Sequence, residues 1–185
     1  MPIPSKPTAL IRFRWDLAGL KPGEVAMPGP YTLREAGEQE MEDALRVVQA
    51  SYNLDPEWSG CAKHIDDVVL PGVRRVFEKE ATCLFLLHGN RVIAASAYDP
   101  EPEDGIHLVS GPCVFIEYRS RGIGGAMLHA TLEALRARGA TEAVGQVRPG
   151  TPSSKYLCTK FGGQQVAVSP QEIKLAAPLE AAVAA

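Results

Sequence analysis

The sequence predicts an α/β fold, and three observations carry that prediction. Strand-like runs and segments of helical period alternate along the chain. Gly89-Asn90 joins TCLFLLH to RVIAASAYD, a two-residue signal for an antiparallel hairpin. An apolar run, VFI, stops at EYRSRGIGG (117–125), where an amphipathic pattern begins. With 185 residues, 45% hydrophobic and 22% charged, the chain is long enough for one domain with its own core and gives no reason to expect a second.

Residues 1–30 hold prolines at 2, 4, 7, 22, 28 and 30, interrupted by one strand-like piece, IRFRWDL. They read as an N-terminal extension whose strand packs on the main sheet or on a second subunit. From residue 31 a domain is expected to run to about 178, with 179–185 a low-complexity frayed tail. YTLREA reads as a strand, and in the helix after it Met41, Ala44, Leu45, Val48 and Tyr52 share one face. Residues 61–79 are also helical in period, with Ile65, Val69, Val73, Val76 and Phe77 inward, but Pro71-Gly72 must kink or split them, so two short helices satisfy the pattern as well as one. After the hairpin and a polar loop, IHLVSGPCVFI (106–116) resumes a strand. Gly111-Pro112 inside it predicts a bulge or splay, because proline brings no donor and glycine packs nothing. A helix follows from Gly122 to about Arg138, with Ile123, Met127, Leu128, Leu132 and Leu135 inward, His129 outward and Gly139 as its cap. EAVGQV reads as a strand, TPSSKYLCTKF as a short helix, and QQVAVS and EIKLAA as closing strands.

A net charge of −3 gives no reason to expect nucleic acid or an anionic membrane as partner. The charge is unevenly spread. Between Glu117 and Lys160 seven basic residues meet three acidic ones, so +4 sits there and −7 elsewhere. The four cysteines form no C-x-x-C pair and have no histidine at metal-ligand spacing, which argues against zinc and against a disulfide framework. With no apolar leader at the N-terminus and no run long enough to span a bilayer, the expectation is a reduced, cytoplasmic protein.

Backbone N–H groups at a helix start lack partners within the helix, and the helix dipole adds positive potential. Gly122 and Gly124 let an oxygen reach the main chain, Gly125 widens that access, and Arg119 and Arg121 add charge. A pyrophosphate is the expected ligand. Spacing separates the families that bind one in this way. The dinucleotide fingerprint G-x-G-x-x-G fails at Met127, and no Gly-Lys pair exists for a P-loop. What remains is Arg119-x-x-Gly122-x-Gly124 directly after a strand.

That pattern resembles the acyl-CoA motif [QR]-x-x-G-x-[GA] of the GCN5-related N-acetyltransferases (GNAT), with VFIEYRSRGIGGAML matching it closely and the element order agreeing over roughly residues 31–175. The resemblance implies a three-layer α-β-α fold around a mixed, mostly antiparallel sheet, splayed where acyl-CoA enters. It implies that amides of Ser120, Arg121, Gly122, Ile123, Gly124 and Gly125, beside Arg119, hold the pyrophosphate, while Cys113, Val114 and Ile116 pair with the pantetheine arm. A main-chain N–H near Val114 would polarise the thioester carbonyl. The implied activity is acetyl transfer from acetyl-CoA to a primary amine on a small molecule or peptide, with homodimerisation open.

In this family the general acid is often a tyrosine in a pattern like A-x-x-[LF]-Y-x-K-x-G-F. Ungapped alignment on Lys160 and Gly162 places Cys158 at that tyrosine, and Tyr156 two residues early. A one-residue insertion or local bulge would bring Tyr156 into the pocket as general acid; otherwise it is an ordinary aromatic. The asparagine common after the fifth strand is replaced by RPGTPSS. Tyr98, Glu117 and His107 stand as options for a base, none with a distinguishing motif, and SYNLDPEWSG (51–60) is expected to shape the acceptor site. Two readings from other classes stay open: a non-catalytic acyl-CoA-binding regulatory or partner domain, and a nucleotide-binding domain using the same glycines.

Overall fold

The computed structural model of the chain describes residues 10–23 and 25–167. The closing strand expected in EIKLAA and the tail from 179 lie outside them. Among the described residues seven strands form two antiparallel sheets. One sheet runs in the order β2 (Tyr31–Glu35), β3 (Cys83–His88), β4 (Arg91–Ala97) and β5 (Cys113–Val114); the other places β1 (Ile11–Asp16) between β6 (Glu142–Val147) and β7 (Gln164–Val166). Every ladder among the described residues is antiparallel.

The N-terminal strand therefore occupies the centre of its sheet. β1 alternates as the sequence suggests: Phe13 and Trp15 are buried, and Arg14 and Asp16 are exposed. The Trp15 indole N–H donates to the Lys160 carbonyl at 2.9 Å, fixing the turn that leads into β7. In the other sheet, β4 is buried at every residue after Arg91, as a strand must be when helices cover both faces of its sheet. Helix α1 (Met41–Asn53) packs on β4 and β5. Its start is prepared by Glu40, whose carboxylate accepts the Gly37 amide at 2.7 Å and a bidentate pair from Arg34.

Residues 62–79 form one helical path of three parts: α2 (Ala62–His64), a π-type stretch Ile65–Val69, and α3 (Leu70–Lys79). Pro71 stands in the first turn of α3, where its missing N–H is tolerated, and the wider π turn absorbs the ring before it. A Cβ on Gly72 would meet Val109 at 2.8 Å, so this glycine permits close approach of the strand-like segment beneath. Helix α4 (Ile123–Ala137) touches β3, β4, β5 and β6, and Thr131 Oγ1 bonds Ser96 Oγ on β4 at 2.8 Å. Its five expected inward residues are buried. His129, expected outward, is buried too: the N-terminal segment crosses it, its Nε2 lies 3.0 Å from the Lys21 carbonyl, and Phe161 stacks edge-on at 4.9 Å.

Segment 106–116, expected as one strand, is divided at Gly111-Pro112. On one side, Val109 and Ser110 donate to the Ala97 carbonyl while His107 and Leu108 donate to that of Val144, stitching β4 to β6. A Cβ on Gly145 would come within 2.9 Å of Leu108, so β6 needs glycine there. Beyond Gly111, which has φ +62°, β5 pairs with β4 alone and the two sheets part. That parting creates the cleft.

Candidate functional site

The cleft has a volume of about 430 Å³. The edge Ser110–Val114 forms one wall and Gly145–Val147 of β6 the other. Arg119, Ser120, Ile123 and Gly124 of the glycine turn, the loop Asp55–Trp58 and residues from His64 to Gly72 complete the lining.

The glycine turn has two left-handed residues, Ser120 at φ 59° and Gly122 at φ 78°, on either side of Arg121. Such alternation turns successive N–H groups toward one side. Arg119 N closes the preceding turn on Ile116 O and Ala126 N starts the helix on Gly122 O, whereas no described residue accepts from the amides of 120–125. A Cβ on Gly124 would find nothing nearer than Leu157 at 4.0 Å, and one on Gly125 would lie 3.2 Å from Lys160 Nζ. Lys160 thus brings a further cation to the turn, one that the sequence marked only as part of the basic stretch and as an alignment point.

The two arginines divide their work. Arg121 is exposed, with its guanidinium 5.5 Å from the Tyr118 ring centre and bonds to Tyr31 Oη at 3.3 Å and Glu117 O at 3.1 Å. Arg119 turns inward. Its Nε donates to Val114 O at 3.0 Å, Nη1 to Asp55 Oδ2 at 2.9 Å, and Nη2 to Ser51 O at 2.8 Å and Ser51 Oγ at 3.2 Å. Its charge is met by Asp55, so this guanidinium ties the turn to α1, β5 and the loop rather than standing free for an anion.

Along the edge, Phe115 N donates to Ile93 O, so by antiparallel alternation Val114 points its amide and carbonyl away from β4. The carbonyl is taken by Arg119 and, at 3.3 Å, by Ser51 Oγ. Cys113 lines the cleft, and burial pushes its thiol up to about 12. Ile116 lies beyond the cleft in a short 3-10 turn, half exposed.

Tyr156 does not reach the cleft. Its residues 153–157 form a π-type turn whose inner side presents Ser153 and Leu157, leaving Tyr156 70% exposed. The general-acid expectation for Tyr156 does not fit this placement. Cys158 follows the ungapped alignment onto the cleft wall, its thiol pushed up to about 12 by burial and then by the charge of Glu57.

The expected bases are also placed elsewhere. Tyr98 is fully buried under Arg138, with burial raising its phenol. Glu117 is exposed and paired with Arg91 at 2.8 Å. His107 Nδ1 accepts the Val144 amide at 3.2 Å, and burial lowers its pKa.

The loop is held from both sheets. Asp55 Oδ1 accepts the Glu57 amide at 2.9 Å, and Arg148, just past β6, donates to Glu57 O at 2.6 Å and Ser59 O at 3.0 Å. Trp58 meets Tyr52 edge-on at 4.8 Å and stacks on His64 at 6.3 Å, and burial lowers the His64 pKa. The Tyr52 hydroxyl donates to Ser110 O at 2.6 Å. Glu57 Oε2 is buried with no hydrogen-bond partner among the described residues. No local sequence signal marks Arg148 or Lys160 for these places, because each acts on residues more than thirty positions away.

Among the described residues no group of three or more acidic, histidine or cysteine side chains is placed to hold a metal, and no helix is long and apolar enough to cross a membrane. Solved structures share the fold. A GCN5-related N-acetyltransferase from Sphaerobacter thermophilus is 17% identical with a TM-score of 0.58, covering 85% of this chain and 48% of its own. A Drosophila protein is 12% identical at 0.59, over 85% and 47%, and a GCN5-related N-acetyltransferase from Kribbella flavida 19% at 0.52, over 84% and 53%. The chain thus spans about half the length of these three. No curated protein matches it. The family model of the acetyltransferase (GNAT) family matches residues 42–162, the stretch that contains the glycine turn, the parted edge and the loop facing them. With well over half of the sequence inside that match and the splayed cleft in its expected position, this chain belongs to the GNAT acetyltransferase family.

Proposed function

We propose that this chain transfers an acetyl group from acetyl-CoA to a primary amine by direct attack on the thioester. One observation carries the reading: six consecutive amides, Ser120 to Gly125, lack acceptors among the described residues at the start of a fifteen-residue helix, and three of those residues, Ser120, Ile123 and Gly124, line the cleft between β5 and β6. These amides, with Arg121 and Lys160 nearby, would hold the pyrophosphate. Cys113 and Val114 would flank the pantetheine arm, and the outward Val114 amide would donate to the thioester carbonyl as negative charge grows there.

The chain's main contribution is positioning, with the amine arriving neutral. Cys158 occupies the wall where the family's tyrosine is expected, but a thiol held near 12 keeps its proton more tightly than a free thiol of about 8.5. It serves as apolar lining, and the departing thiolate takes its proton from the attacking nitrogen or from water. Tyr156 facing outward favours a second reading, a domain that binds acyl-CoA without turnover; absence of transfer to a broad amine panel would select it.

The test is calorimetric titration of the protein and a Gly124→Glu variant with acetyl-CoA. A Cβ at this position meets nothing nearer than Leu157 at 4.0 Å, so the backbone accepts a side chain there, and the added carboxylate should repel the pyrophosphate. Micromolar binding is expected in the wild type, with a loss of about a hundredfold or more in the variant. A wild-type protein that does not bind would refute the reading.

A further inference from the structure

We infer that the acceptor is an amine whose carrier holds a second positive charge, and that the Glu57 carboxylate binds that second charge. This rests on the acetyltransferase reading and concerns the loop 55–58, which the Asp55–Arg119 pair joins to the glycine turn. Two acidic residues of the loop could serve, and the structure separates them. Asp55 is fully engaged, one oxygen capping the Glu57 amide and the other paired with Arg119. Glu57 has no such partner: Arg148 reaches its main-chain carbonyl, not its carboxylate, and Oε2 is buried without a donor.

A carboxylate oxygen removed from water with nothing to accept from is unfavourable, and a cation supplied by a ligand relieves it. The surroundings suit such a ligand. Trp58, beside Glu57, forms an aromatic wall with Tyr52 and His64, a surface that attracts alkylammonium groups. Burial keeps His64 toward its neutral form. Asp67 and Asp104 also line the cleft, with Arg75 beside them, while Arg148 is engaged by the Glu57 and Ser59 carbonyls. An acceptor bearing a carboxylate would meet this lining as a like charge.

The charge bound there is one the acceptor keeps. The attacking nitrogen must shed its proton to react, so a fixed carboxylate that stabilised its ammonium form would hold back the reaction. Glu57 is therefore a specificity-determining residue.

The test uses CoA-loaded protein titrated with cadaverine and with aminocaproate, which share an amine and a five-carbon chain but end in ammonium and carboxylate. The same titrations follow on Glu57→Gln, which keeps the side chain's shape and every hydrogen bond the structure shows for Glu57, since those are main-chain bonds. Wild-type protein is expected to favour cadaverine by about tenfold or more, and Glu57→Gln to shrink that gap about tenfold with CoA binding unchanged. Equal binding of the two amines, no binding of cadaverine, or a gap that survives Glu57→Gln would overturn the inference. So would equal slowing of transfer to both amines with unchanged binding, which would put Glu57 on the attacking nitrogen's proton. Failure of CoA itself to bind is read in the first titration and would instead sink the acetyltransferase reading.

Discussion

Arg119 is where a reading from charge and a reading from geometry give opposite results. If its guanidinium held the pyrophosphate, Arg119→Ala would cost ligand affinity and little stability. The structure predicts the reverse. The side chain is 28% exposed and makes four contacts between 2.8 and 3.2 Å, and Asp55, its ion-pair partner, is 17% exposed. Removing it strips Asp55 Oδ2 of its cation and Ser51 O of its donor, while Val114 O retains Ser51 Oγ. A partly exposed ion pair is worth about 1 kcal/mol and each charged hydrogen bond to a carbonyl about 1 more, so the loss should be about 2–4 kcal/mol. With a urea dependence of about 2 kcal/mol per molar, the unfolding midpoint should fall by about 1–2 M. Arg119→Lys should recover little, because one ammonium cannot reach four acceptors on three residues set out for a planar fork. Arg121→Ala is the control: exposed and lying on Tyr118, it should leave the midpoint within about 0.5 M and weaken acetyl-CoA severalfold. An Arg119→Ala protein that unfolds like wild type but no longer binds acetyl-CoA would refute the assignment.

Tyr156→Phe should change the rate of acetyl transfer less than about twofold, because the phenol stands in solvent; a loss of a hundredfold with unchanged CoA affinity would return it to the reaction. Cys158 should resist iodoacetamide at pH 8, where a thiol near 12 is ionised in only about one molecule in ten thousand; rapid labelling in the folded protein would contradict its placement. Gly163→Ala should destabilise by about 3 kcal/mol or more in thermal or urea unfolding. Its Cβ would overlap the Cys158 carbonyl and come within 2.6 Å of the Trp15 indole nitrogen, breaking the contact that holds the turn before β7; a shift below 1 kcal/mol would show that this turn yields freely.

The helices and the hairpin were legible because their signals are local. Apolar residues at helical spacing on α1, α3 and α4 became core, and Gly89-Asn90 joined β3 to β4 as its chemistry requires. The place of β1 was not legible. Its alternation announces a strand, but the strands it joins lie about 130 and 150 residues away, and an edge strand would read the same. His129 was misjudged for a related reason: a polar residue on a helix reads as outward until another segment is known to cross it.

The site divides along the same line. Anion binding through backbone amides leaves a local trace, because bare backbone at a helix start restricts the residues there to glycine and its neighbours. Side-chain roles leave none. Arg119 and Arg121 are indistinguishable as letters two positions apart, and only Asp55, sixty-four residues earlier, draws one of them inward. The acidic loop depends on that choice. As sequence, Asp55 and Glu57 are equivalent candidates for an acceptor's charge; once Arg119 has neutralised Asp55 and Asp55 has capped the short turn, Glu57 alone of the two keeps an unmatched carboxylate at the cleft. On the proposed reading, the ion pair that fixes the glycine turn also leaves Glu57 as the residue for the acceptor's charge, so an Asp55→Asn protein should weaken acetyl-CoA binding and the preference for cadaverine together.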